Sequence, residues 1–101
     1  MRINETNTTQ KEFTRFLNRL ANDERILPIH LSLIMALLYY HTGDKFADCF
    51  HASRLKLMRF SGVRAIGTYH KYLSELVGYG YIEYRPSWHP TKASSFKFIP
   101  L

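Results

Sequence analysis

Arg64, Thr68 and Lys71 stand at i, i+4 and i+7, so a helix would project all three from one side. A basic, hydroxyl-bearing face on a short helix has the chemistry to read duplex DNA. Arg or Lys pairs with guanine O6 and N7, Thr touches a thymine methyl, and each can instead hold a phosphate. His70 lies beside that face and is suited either to a phosphate or to packing against whatever follows the helix. Other chemistry is thinner. Cys49-x-His51, with His41 upstream, contains metal-ligand residue types, but zinc sites need paired ligands and the chain has one cysteine. A buried thiol beside a partly exposed histidine is expected there, with no metal and no cofactor. Asp44 and Asp48 share a helical spacing but sit by Gly43 in an expected loop. No Ser/His/Asp order, glycine-rich phosphate loop or convergent carboxylate pair is present, so neither an enzyme nor a small-molecule ligand is expected.

The element that must carry these side chains is a helix over 64–77. Ile66, Tyr69, Leu73, Leu76 and Val77 recur at helical spacing and describe its buried face, opposite Arg64, Thr68, Lys71, Ser74 and Glu75. Gly67 inside it costs about 1 kcal/mol against alanine, which calls for close packing on the preceding helix or close approach to a phosphate. Gly80 can end the helix in the left-handed conformation. Ahead of it, Ser53 is a good N-cap for a short helix bearing Leu55, Leu57, Met58 and Phe60, and Ser61-Gly62 supplies a turn. Arg54, Lys56 and Arg59 on that first helix are candidates for the DNA backbone. After the second helix come Tyr81–Tyr84, a polar loop and Phe96–Ile99. Helix, turn, helix, strand, loop, strand is the layout of a winged helix-turn-helix, with Cys49–Ala52 as a short first strand pairing with the wing. In the loop, Arg85 and Lys92 are suited to phosphate or the minor groove, and Trp88 to plugging the hairpin.

The upstream half reads as helical. Thr9-Gln10-Lys11-Glu12 fits a capping box, and Phe13, Phe16, Leu17 and Leu20 then form an apolar stripe ending near Asn22. Pro28 suits the first turn of a second helix, stopped by Gly43, and Ile29–His41 carries no charge with its histidines neutral. A helix apolar on nearly every side is central, or half core and half dimer interface. The fold expected is α+β: one winged-helix domain over 1–101, with a helical extension at 1–25, a helix-turn-helix at 53–77 and a wing hairpin at 81–99.

Charge is unevenly distributed over the 101 residues. Residues 1–52 balance six Lys/Arg with six Asp/Glu, whereas residues 53–101 hold eight Lys/Arg against Glu75 and Glu83 alone. The whole net charge of +6 therefore falls on the proposed winged helix, as a polyanion partner would require. The single cysteine excludes an internal disulfide. Residues 1–12 are polar, with no apolar signal core, and 26–40 is too short and interrupted for a membrane span, so a cytoplasmic protein is expected.

Thr68-Tyr69-His70-Lys71, Leu73, Glu75-Leu76, Gly80-Tyr81-Ile82-Glu83-Tyr84, Pro86-Ser87, Pro90, Lys92 and Ser94 together resemble the small winged-helix proteins carried on conjugative transposons and plasmids of Bacteroidetes-type bacteria. That family shares a T-Y-H-K helix and a P-S-x-x-P-x-K-x-S wing, and the likeness extends to Ser53-Arg54 and Leu57-Met58, about half the chain. It departs at Ala65-Ile66-Gly67, where the family is more polar. The resemblance implies double-stranded DNA binding in the control of a mobile element, as a transcriptional regulator or an excision or replication accessory factor. The apolar second helix and the stripe on the first add the expectation of a homodimer. A winged helix used as a protein-interaction module, without specific DNA binding, is the alternative.

Overall fold

A computed structural model describes residues 3–87 and 93–101, with side chains from Thr8 onward. It is α+β, with four helices and a small antiparallel sheet. In order these are α1 (Ile3–Ala21), α2 (Pro28–Tyr40), β1 (Phe50–Ala52), α3 (Arg54–Ser61), α4 (Ile66–Gly78), β2 (Ile82–Arg85) and β3 (Ser94–Phe98). The sheet order is β1-β3-β2, with Phe50 opposite Phe96 on one side of β3 and Ile82 opposite Phe98 on the other.

Strand alternation builds the core. Phe50, Ala52, Ile82, Phe96 and Phe98 turn inward, while His51, Glu83, Arg85 and Lys97 turn out. Phe46 lies almost parallel to Phe98, with ring centroids 4.9 Å apart, and Tyr84 stacks on Phe96. Phe16 of α1 meets Phe46, Tyr81 and Phe98 edge-on, so α1 is held on this aromatic column by one fully buried ring.

Two helix boundaries in the upstream half differ from the sequence expectation. α1 begins at Ile3, so Thr9 lies inside the helix and is not its cap. α2 ends at Tyr40 because His41 turns to extended geometry, two residues before Gly43. Gly43 has another role: a Cβ there would collide with the Cβ of Asp48. Asp48 Oδ2 in turn accepts from the Lys45 N–H at 3.0 Å, closing the loop. Cys49 is exposed, not buried, because alternation sends it to the same outer side as His51; its Sγ lies 2.9 Å from Ser95 Oγ. The helix end expected at Gly80 is a Schellman motif: Gly80 takes φ 84°, and the N–H groups of Gly80 and Tyr81 donate to the carbonyls of Val77 and Leu76. No described helix is long and apolar enough to cross a membrane.

Polar contacts lock α1 to this turn. The Arg19 guanidinium donates to the Ile99 carbonyl at 2.8 Å and the Gly80 carbonyl at 3.0 Å, and lies over the Tyr81 ring. Tyr81 Oη donates to Asp23 Oδ2 at 2.7 Å, and Asp23 also receives both edges of Arg25. The Arg25 bonds, then the Tyr81 hydroxyl, hold the Asp23 carboxyl well below the usual carboxylate range. Burial, then the Asp23 bond, pushes the Tyr81 hydroxyl up to about 12. A tyrosine with a raised folded value is stabilising below its unfolded value of 10, and that contribution is lost as pH rises through 12. The melting temperature should therefore fall between those two values, and Tyr81→Phe should flatten that alkaline fall; equal alkaline limbs in the two proteins would contradict this.

Candidate nucleic-acid interface

The turn from α3 to α4 is built from its own residues. Ser53 Oγ caps α3 by accepting from the Lys56 N–H. Gly62 ends α3 at φ 78°, its N–H bonded to the Met58 carbonyl. Ser61 Oγ donates to the same carbonyl and accepts from the Val63 N–H, and the Val63 side chain is buried. Only then does α4 start, at Ile66, with Ala65 as N-cap and no side-chain acceptor for its first N–H groups.

This start corrects the expected face. Arg64 lies in the turn and not on the helix, so Arg64, Thr68 and Lys71 do not share one helical side. Thr68 is half-buried at the edge of an open groove, lined also by Pro28 and Ile29 of α2 and by Arg64 and Ala65 of the turn. Glu75, expected on the solvent side, faces α2 instead. Ile66 is 48% exposed and Val77 is also exposed, because Tyr69, Leu73 and Leu76 alone occupy the side that meets the core. The side turned away from the core consists of Gly67, His70, Lys71, Ser74 and Gly78, all exposed and spaced i, i+3, i+4, i+7, i+11. Gly67 is not explained by packing, since a Cβ there would meet nothing within 4 Å.

α4 is positioned by a buried polar link. His30 is the one fully buried polar side chain among the described residues. Its Nδ1 accepts from the Leu27 N–H at 2.8 Å, filling the place that Glu or Gln takes in a capping box, three residues into α2. The ring can accept there only with its proton on Nε2, which then donates to Glu75 Oε1 at 2.8 Å. Tyr72 and Tyr79 of the α4 segment meet the ring edge-on. On the other flank, Tyr69 is buried near Arg54 and Tyr84, and burial raises its hydroxyl far above the ordinary tyrosine value.

In residues 53–101 the described basic side chains stay open. Arg54, Lys56 and Arg59 on α3, Arg64 in the turn, Lys71 on α4, Arg85 at the end of β2 and Lys97 on β3 are all exposed. Among the described residues the close charge contacts are the Arg25–Asp23 ion pair and the His30–Glu75 hydrogen bond, and neither uses any of these seven. With Glu75 bonded to His30, Glu83 is the other carboxylate side chain of residues 53–101, and it is exposed. Lys97 was not among the expected residues, although the Phe96-x-Phe98 alternation marks it as outward. Lys92 and Trp88 lie outside the described residues. No cluster of three His, Cys, Asp or Glu among the described residues could hold a metal.

Compared with known proteins, the chain matches no family model, no curated protein and no solved structure at a significant level.

The His30 link gives a direct test of what holds α4. Glu75→Ala strands the Nε2–H in the core and should cost about 1–3 kcal/mol in urea unfolding. Glu75→Gln keeps an acceptor oxygen and should cost less than half as much; equal losses would mean that the carboxylate acts by charge and not by accepting this bond.

Proposed function

We propose that the chain is a winged helix-turn-helix that binds double-stranded DNA, with α3 and α4 as the helix-turn-helix and β2–β3 as the wing. The observation that carries this reading is that the seven described Lys and Arg of residues 53–101 are all exposed and outside the ion pairs found among the described residues, while the open side of α4 holds only glycine, serine, histidine and lysine. α4 enters the major groove, which is about 12 Å wide and admits a helix. Gly67 and Ser74 let the helix backbone come close to the base edges, and His70 and Lys71 reach past them. Arg64 and the uncapped first turn of α4 take a phosphate, where free N–H groups and the helix dipole both favour an anion. Arg54 and Lys56 hold the backbone beside α3; Arg85 and Lys97 hold it beside the wing. The resemblance to winged-helix proteins of conjugative elements supports the same ligand and adds the setting: a regulator, or an excision or replication accessory factor, of a mobile genetic element.

Binding to a labelled duplex from the element's own upstream region, titrated with salt and random competitor, tests this. Affinity should fall steeply with salt, with a log–log slope near −0.9 for each phosphate held. Arg64→Ala with Lys71→Ala should weaken binding by about 10- to 100-fold and flatten that slope. Salt-insensitive binding, or a double variant that binds like the native chain, would overturn the reading in favour of a protein-interaction module.

Gly67→Ala separates fold from ligand at a single atom. The added methyl meets open space and should stabilise the fold by up to about 1 kcal/mol in denaturant. On duplex DNA the same variant should bind several-fold more weakly. A variant both more stable and equally tight on DNA would remove Gly67 from the contact surface.

A further inference from the structure

α2 has a second surface that the basic face does not use. Around the helix from His30, which touches α4, the buried side runs through Leu33, Ile34 and Leu37. The remaining arc carries Leu27, Leu31, Met35 and Tyr39 at steps of four residues, 45%, 44%, 57% and 65% exposed. Phe60 of α3, itself 44% exposed, continues the stripe by stacking on Tyr39 with ring centroids 4.7 Å apart. Phe13 of α1 adjoins it from the other side, lining one open groove with Leu38. From Leu27 to Tyr39 the stripe contains no charged residue.

We propose that this stripe is the contact between two copies of the chain, packed α2 against α2 about a two-fold axis through Met35. The occupant follows from the chemistry of the patch. It presents no charge for a charged partner to complement, yet an apolar strip is complementary to itself under two-fold rotation. Its five central side chains expose on the order of 500 Å², the size of the largest and often functional patch on a protein surface. That is roughly two-thirds of the ~800 Å² that each partner gives to a standard interface, and the flanking α1 and α3 surface supplies the rest. Met35 lies about 140° around α2 from His30, so the pairing leaves α4 open on both copies. The pairing does not depend on what α4 binds.

Sedimentation equilibrium over micromolar loading tests it. The native chain should weigh twice 11.9 kDa. Leu31→Glu and Met35→Glu should each return it to 11.9 kDa with an unchanged circular dichroism spectrum. Leu55→Glu, at an exposed leucine on the far side of α3, should leave the mass doubled. In a Cys49→Ser background, Met35→Cys should cross-link two chains under mild oxidation, because a residue at a two-fold axis meets its own copy. A native chain that stays at 11.9 kDa overturns the proposal, whether or not it binds DNA. So does a dimer that survives both stripe variants, one that Leu55→Glu also dissociates, or a Met35→Cys chain that does not cross-link. A dimer without affinity for duplex leaves the proposal standing and removes the DNA reading instead.

Discussion

The orientation of α4 depends on one buried imidazole. His30 closes the first turn of α2 through Nδ1 and reaches α4 through Nε2, so a single ring is both a helix cap and a tie between helices. Its removal from water is offset only if both nitrogens are bonded, and both are. The neighbouring tyrosines exclude water from the ring edge, which strengthens both bonds. Apolar packing of Tyr69, Leu73 and Leu76 sets which side of α4 meets the core. A directional bond then fixes the rotation, and with it the side from which Gly67, His70, Lys71 and Ser74 project.

The elements were legible in the sequence where periodicity and capping agree. Ser53, Gly62 and Gly80 each sit where the backbone needs that residue, and the alternation in Phe96-Lys97-Phe98 gives both the strand and its inner side. What was not legible was rotation. The spacing of Ile66 and Val77 with Leu73 is helical, yet the side that meets the core is narrow, and both lie at its rim. Arg64 fits the same helical register but belongs to the turn, because the chain must first bury Val63 before α4 can begin. Glu75 read as one more solvated acid because its partner lies 45 residues away, beyond what local spacing reports. A lone histidine three residues into an otherwise apolar helix was the signal that could have found it.

The two outward surfaces are kept apart by composition. α2 carries no Lys, Arg, Asp or Glu, and residues 53–101 carry all the excess positive charge. A charge on the α2 stripe would oppose pairing, and an apolar residue on the open side of α4 would oppose hydration or a polyanion. With the core between them, a pair of chains joined through α2 would turn both basic faces outward, the geometry needed to follow a two-fold symmetric duplex site.

Gly67 makes the functional demand on α4 most visible. Helix propensity disfavours glycine, the backbone there is not left-handed, and no neighbour occupies the space a side chain would fill. Gly62 and Gly80 are each required by a positive φ, and Gly43 by the nearness of Asp48. At Gly67 the free chain requires none of these. Gly78, one turn past Ser74 on the same side, likewise has no positive φ and no neighbour in the space of a Cβ, so the open side of α4 carries bare backbone at two places. Flanked by Lys71 and Ser74, next to the uncapped start of the helix and to Arg64, the bare backbone at Gly67 is suited to a large, negatively charged surface pressed against α4.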